Sequence, residues 1–517
     1  MLHVDYSYKL CKVSSFILFR QHFLGKVSLS SLFLLYFQIF FVPLHEKSMR
    51  TYRTFAISLA LCLPILGTPL SAHPKGMKTK LRTYFLQRLE AENNALKSNS
   101  IDFMDNKGAK DFDASMEIKS KDIKKYQDLV WNAWKEANAM LNEEKLIRLD
   151  SLSENSKGAW NLPETLEPHA VLPYYYGTKL ANTTPLPFFL YIHGSGPKDH
   201  EWSNGLKLSK RFDDAPCIYF IPQIPNEGEY YRWWQKAKQY TWEKLLRLNL
   251  VSGNVDANRI YVFGISEGGY GSQRLASFYA DYWAAAGPMA GGEPLKNAPV
   301  ENCANIGFSL LTGAEDTGFY RDKLTGYIMA AFDSIEAVHP TLFRHRIELI
   351  PHRQHHIDYT PTTPWLKTFT RNPYPKTVMW EDYAMDGRHR NGFYNLQVIN
   401  RPASTDADAR TYYEMNIKGN TIDMKVSDVK YETVERDSIW GIELKFARHY
   451  HPSTSGKIKI YLNDSLVDMS KPIKIIINGK TAFEGKVKAD IKDMANSCIA
   501  YFDPCRVYPA SVDIEIK

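Results

Sequence analysis

Arg259-Ile260-Tyr261-Val262-Phe263-Gly264-Ile265-Ser266-Glu267-Gly268-Gly269-Tyr270 is the stretch whose reading decides the fold. Ile260–Phe263 is an apolar, β-branched and aromatic run, and Tyr270 to Ala280 has helical character. Between them lies Gly-x-Ser-x-Gly, a turn so tight that the serine backbone is strained and its neighbours must be small. Gly264 and Gly268 supply the small neighbours, and Gly269 lets the helix start lie close to the strand. Ser266 Oγ then stands exposed at a helix N-terminus, where developing negative charge is favoured. The competing reading is a chance match in a glycine-bearing loop, so the decision passes to the rest of the chain.

Outward from this turn, residues 170–372 alternate short apolar strands with amphipathic helices, the signature of an α/β layer with a mainly parallel sheet. The expected strands are Phe188–His193, Ile218–Pro222, Ile260–Phe263, Ala284–Ala286, Phe308–Thr312 and Ile347–Ile350. Their continuous apolar character suits strands buried on both faces. Three loops after these strands carry candidate chemistry. His193-Gly194-Ser195-Gly196 closes the first, Gly313-Ala314-Glu315-Asp316-Thr317-Gly318 follows the fifth, and His352-Arg353-Gln354-His355-His356-Ile357-Asp358 follows the last.

Segments 188–196, 259–271, 313–318 and 352–366 together resemble secreted α/β-hydrolase esterases: the feruloyl and acetyl-xylan esterases, the polyhydroxybutyrate depolymerase-like enzymes and the pectin-acting carbohydrate esterases. The resemblance covers about 200 of the 517 residues. It implies an α/β-hydrolase fold with Ser266 as nucleophile, Asp316 as acid and His355 as base, in the chain order Ser, Asp, His. Glu315 is the neighbouring alternative for the acid and His356 for the base. Gln354 departs from the glycine that often precedes the histidine in this group. The backbone N–H groups of Ser195 and Glu267 are the implied oxyanion donors, each worth ~3 kcal/mol of transition-state stabilisation. The Glu267 side chain is not needed for that role. Such a site calls for no metal and no cofactor.

For substrate, Tyr230-Tyr231-Arg232-Trp233-Trp234 lies after the strand Ile218–Pro222, on the side of the sheet where α/β active sites form. Aromatic faces stack on sugar rings and an arginine binds a carboxylate in bidentate fashion. Arg232, Trp233 and, just after the oxyanion loop, Trp202 are therefore expected at a carbohydrate rim, with Arg232 placed for a uronic acid. The competing reading has these aromatics closing the core beneath a loop. The expected substrate is an ester on a plant cell-wall polysaccharide or oligosaccharide: acetyl, feruloyl or pectin methyl. Three other readings stand against it. A peptidase of the prolyl-oligopeptidase type shares Gly-x-Ser-x-Gly-Gly, but no propeller-like repeat precedes the turn. A metal site would gather His352, His355, His356 and Asp358. A non-catalytic glycan-binding surface protein would bind without turnover.

The formal charge is +7, but residues 1–72 hold seven Lys/Arg and two acids, leaving 57 basic against 55 acidic residues. That balance shows no footprint for nucleic acid. Met49-Arg50-Thr51-Tyr52-Arg53 followed by Phe55–Leu66 reads as a signal peptide over 49–72, with cleavage after Ala72. Residues 1–48 then read as a non-native upstream extension, although Leu29–Leu44 taken alone would be a membrane anchor. The mature protein is expected to be secreted or periplasmic, without a stable membrane span. Residues 73–165 read as a helical N-terminal extension, with Ile123, Tyr126, Val130, Trp134, Ala137 and Leu141 on one face. The catalytic domain is set at 166–372. Residues 373–517 read as an all-β, sandwich-like domain with no long helical segment, and Asn478-Gly479 marks a hairpin. Of the four cysteines after Ala72, Cys498 and Cys505 are spaced for a local disulfide, and Cys217 sits in a buried strand.

Overall fold

The computed structural model describes residues 74–97, 110–180, 183–404, 406 and 408–517, all within one compact unit, Leu70–Lys517. The upstream extension and the signal peptide lie outside the described residues. Among the described residues, no helix is long and apolar enough to cross a membrane.

The central sheet has nine strands: β1 (Asp150–Ser151), β2 (Lys157–Asn161), β3 (Val171–Lys179), β4 (Leu186–Ile192), β5 (Cys217–Pro222), β6 (Val255–Ile265), β7 (Ala285–Met289), β8 (Gly307–Gly313) and β9 (His345–Ile350). Their order is β9-β8-β7-β6-β4-β5-β3-β1, with β2 paired to β3. From β9 to β5 every pairing is parallel, and β3 runs antiparallel to β5. Both faces are covered, which is why the strands read as unbroken apolar runs. Phe188, Leu190, Ile192, Ile260 and Val262 enter one core, while Phe189, Tyr191, Tyr261 and Phe263 enter another on the opposite face. β3 is not among the expected strands: Tyr174, Tyr175 and Tyr176 are buried strand residues.

N-terminal helices Pro74–Lys97 and Ile123–Met140 pack together through Phe85, Val130, Trp134 and Ala137. They share that core with a helix from the far end of the chain, Ile491–Tyr501, through Met494 and Cys498. This helix corrects the expectation of an all-β C-terminal region. Its apolar residues Ile491, Met494, Ala495 and Cys498 recur at three- and four-residue steps and cover the N-terminal helices instead of extending a sheet. The expected disulfide is also absent. Cys498 is buried in the helix, and Cys505 reaches Asn258 Oδ1 at 3.8 Å; both are free.

The rest of the C-terminal region forms two sheets. One pairs Thr377–Asp382, Arg410–Lys418, Thr421–Arg436, Ile473–Ile477 and Lys480–Gly485, with Glu443–Pro452 beside Thr421–Arg436. The other pairs Gly392–Phe393, Leu396–Asn400, Lys457–Leu462 and Ala510–Glu515. Trp380 stacks on Phe393 at 5.3 Å, joining the two, and the same core continues to Phe188 and Val262 of the central sheet. Asn478 and Gly479 both have positive φ, 48° and 79°, as the hairpin signal requires. A buried ionic network adds to this junction: Asp281 pairs with Arg390 at 2.5 Å and with Arg506, and Asp503 pairs with Arg371 and Arg506, each at 2.8 Å. Removing one partner of such a network strands a buried charge, at a cost of about 3–5 kcal/mol.

Candidate active site

Ser266 joins β6 to the helix Glu267–Phe278 with φ 56° and ψ −113°, a conformation that costs a non-glycine residue on the order of 1–3 kcal/mol. The glycines around it are dictated by contact distance. A Cβ on Gly264 would lie 2.4 Å from Gly268 O, one on Gly268 2.0 Å from Ile192 O, and one on Gly269 2.4 Å from Met289 O. The Ser266 N–H donates to Met289 O at 3.0 Å, so the neighbouring strand β7 holds the turn.

Beyond β8, Asp316 is buried; beyond β9, the His355 side chain is 34% exposed. Their geometry is continuous: His355 Nδ1 lies 2.7 Å from Asp316 Oδ2, and His355 Nε2 lies 2.9 Å from Ser266 Oγ. The ionised carboxylate can only accept, which assigns the proton to Nδ1 and leaves Nε2 to accept from the serine hydroxyl. His356 lines the same pocket but is exposed and joins neither contact. Glu315 is exposed and faces His352 at 3.6 Å. With both ring nitrogens of His355 engaged, the four-residue metal set is not assembled, and no group of three or more metal-ligating side chains occurs among the described residues.

Sequence reasoning missed Arg321. It grips Asp316 with two hydrogen bonds, Nε to Oδ2 at 2.8 Å and Nη2 to Oδ1 at 2.6 Å. Burial pushes the Asp316 carboxyl up, but the bonds from Arg321 and His355 outweigh it and hold the group below the ordinary carboxylate range. Nothing in a single sequence marks an arginine five positions after an aspartate as its partner.

The His193–Gly196 loop is braced from beneath. Tyr231 Oη donates to Gly194 O at 2.6 Å and lies 3.1 Å from Gly196 O, and Trp233 Nε1 donates to His193 O at 2.9 Å. His193 is fully buried, its Nε2 accepting from the Ile224 N–H at 3.1 Å, and burial lowers its pKa to about 4. These contacts correct the expected carbohydrate rim. Trp233 has no exposed surface and cannot stack on a sugar. Trp202 stacks on Tyr175 at 4.2 Å and spends its N–H on Ile221 O. Trp233 packs the scaffold because the loop that carries Tyr230–Trp234 folds under the His193–Gly196 turn, and Trp202, half-buried on the helix Lys198–Arg211, packs against β3. Arg232 alone is substantially exposed, at 47% of its side chain, and lies 3.4 Å from Glu267 Oε1. Burial pushes the Glu267 carboxyl up to about 7 against the pull of Arg232.

Gly194, Ser195, Gly196, Ser266, His355, His356 and Tyr359 line a surface pocket of about 530 Å³. Ser195 thus stands on the pocket wall, and Glu267 opens a helix whose first N–H groups have no intrahelical partner.

No family model matches the chain, and no curated protein matches it. Solved structures similar to it include a thermostable esterase, at 20% identity and TM-score 0.34, over 42% of this chain and 63% of that one. The chain therefore spans less than two thirds of that esterase. A ferulic acid esterase from Anaeromyces mucronatus in complex with ferulic acid is 12% identical, TM-score 0.30, over 44% of this chain and 93% of that one. An S-formylglutathione hydrolase from Agrobacterium tumefaciens is 14% identical, TM-score 0.31, over 44% and 96%. At these scores the geometry of the site, not the likeness, supports a function.

Proposed function

We propose that this protein is a serine esterase that hydrolyses carboxylic esters through an acyl-enzyme, acting outside the cytoplasm on an ester of a plant cell-wall polysaccharide. The observation that supports the chemistry is the unbroken contact from Ser266 Oγ through His355 to Asp316, at 2.9 and 2.7 Å. Ser266 Oγ attacks the ester carbonyl while His355 Nε2 takes its proton. The tetrahedral oxygen is received by the backbone N–H groups of Ser195 and Glu267. Collapse breaks the C–O bond, and His355 returns the proton to the leaving alcohol. A water then gives its proton to His355 and its oxygen to the acyl carbon; the acyl C–Oγ bond breaks, and His355 returns that proton to Ser266 Oγ as the acid leaves. Asp316 keeps the imidazole in one tautomer and stabilises its cation, and Arg321 keeps Asp316 ionised. Arg232, which faces the Glu267 carboxyl one residue past the nucleophile, supplies the charge for an acidic sugar.

The test is a panel of p-nitrophenyl acetate, acetylated xylan, feruloylated arabinoxylan and methyl-esterified pectin, with Ser266→Ala as control. We expect turnover of the small ester and of at least one polymer, lowered about 10⁴-fold or more by the substitution. Cleavage of peptides with no ester turnover would replace this reading with a peptidase.

A further inference from the structure

Three and four residues after Asp316, Phe319 and Tyr320 adopt left-handed backbone, φ 51° and ψ 25°, then φ 59° and ψ 31°. Neither is a glycine or an asparagine, so each conformation is held against a local preference. Its effect is to turn the Phe319 ring out to solvent, 48% exposed, with the Arg321 guanidinium 5.7 Å from its centroid. That guanidinium is the one gripping Asp316, and three residues of chain span at most about 11 Å, so the ring stands close to the catalytic acid.

A second aromatic arrives from the C-terminal region. The hairpin of Thr421–Arg436 and Glu443–Pro452 reaches the helix that follows Phe319, where Tyr327 Oη donates to Glu435 at 2.8 Å and Lys323 pairs with the same carboxylate. At the hairpin tip, Trp440 lies 5.0 Å from Phe319, centroid to centroid, and is 60% exposed; Ile439 beside it is 73% exposed. The tip is a built structure. Asp437 accepts from the N–H groups of Ile439 and Trp440 and from Tyr320 Oη at 2.7 Å, and its own N–H donates to Ile442 O. One carboxylate thus fixes the tip and ties it to the left-handed turn. Those hydrogen bonds outweigh desolvation and lower the Asp437 pKa to about 2.

From this arrangement we propose that Trp440, with Phe319, is a specificity-determining platform on which a pyranose ring of the ester-bearing glycan stacks, outside the reaction centre. The proposal rests on the polysaccharide-esterase reading above. Three apolar side chains inside a rim of ion pairs (Lys323–Glu435 and Arg436–Glu443) match one sugar ring, which has an apolar face and a hydroxyl edge. A stable protein interface uses roughly 20–30 residues a side, far more than this patch presents. Preorganisation by Asp437 spares the ligand the cost of ordering the loop.

The experiment compares wild-type, Trp440→Ala and Trp440→Phe full-length chains on p-nitrophenyl acetate and on whichever of the three polymers the wild type hydrolyses fastest. We expect Trp440→Ala to lower polymer kcat/KM by about 5- to 10-fold, through KM, with small-ester turnover unchanged. Trp440→Phe, which keeps an aromatic face, should recover most of the loss. An equal effect of Trp440→Ala on polymer and small ester, or no effect on either, would overturn the platform and leave the esterase standing. Small-ester turnover with none of the polymers attacked would instead remove the polysaccharide reading. Sedimentation showing a wild-type dimer that Trp440→Ala dissolves, with kinetics unchanged, would make the patch a contact between copies and also overturn the proposal.

Discussion

Two strained turns flank the proposed acyl-transfer chemistry, and they are held in opposite ways. The Ser266 turn is supported by its immediate neighbours: glycines at 264, 268 and 269 remove the atoms that would collide with Ile192, Gly268 and Met289 carbonyls. The turn at Phe319–Tyr320 has bulky residues at both left-handed positions. It is supported from afar, by Asp437 on the Tyr320 hydroxyl across 117 residues. Strain compensated locally can be read in a short window of sequence. Strain compensated by tertiary contacts cannot.

The largest effect should come from breaking the local support. Gly268→Ala places a Cβ 2.0 Å from Ile192 O, where backbone must move, so we expect loss of soluble protein or at least about a 100-fold fall in kcat, seen by circular dichroism and small-ester kinetics. A variant with wild-type kinetics would show that the elbow is less tight than its geometry demands. Cutting the ion pair beside the second turn should cost less. Arg321→Met removes both bonds to Asp316, and we expect kcat/KM on p-nitrophenyl acetate to fall about 10-fold with KM little changed. Because the folded carboxyl is depressed, its stabilising contribution is present above the unfolded pKa and disappears as pH falls through the folded value. Without Arg321 that folded value rises, so acid unfolding should begin at a higher pH in the variant. Identical acid limbs would exclude Arg321 as the residue that sets the Asp316 charge. The smallest effect belongs to Arg232, which borders the elbow without supporting it. Arg232→Ala should leave small-ester turnover within about 2-fold while reducing activity on acidic pectin relative to neutral xylan. An unchanged ratio would dismiss the uronate role.

Much of the site was legible for the same reason that the first turn was. A buried parallel sheet requires continuous apolar strands, and its loops follow them at predictable places, which put Asp316 and His355 in order behind Ser266. Choosing His355 over His356 needed the fold, since only the path of the loop after β9 decides which ring meets Asp316. The aromatic segment Tyr230–Trp234 misled because composition cannot say whether a tryptophan face points at solvent or at a backbone carbonyl; Trp233 Nε1 is spent on His193 O. The helix Ile491–Tyr501 was hidden because its apolar stripe has meaning only against the helices Pro74–Lys97 and Ile123–Met140, about 400 residues earlier.

By itself, the sequence determined the parallel sheet, the serine turn and the order of the three candidate catalytic residues. Each depends on spacing within a window of a few residues: alternation of strand and helix, or a glycine where a Cβ has no room. Only the tertiary structure decided which histidine engages the serine, that Arg321 holds the acid, and that Trp440 from the C-terminal hairpin meets Phe319 beside it. The first and last of those pairings join groups 89 and 121 residues apart, a range at which contact is set by how the layers pack, whereas Arg321 meets Asp316 across five residues of an irregular turn that no motif marks.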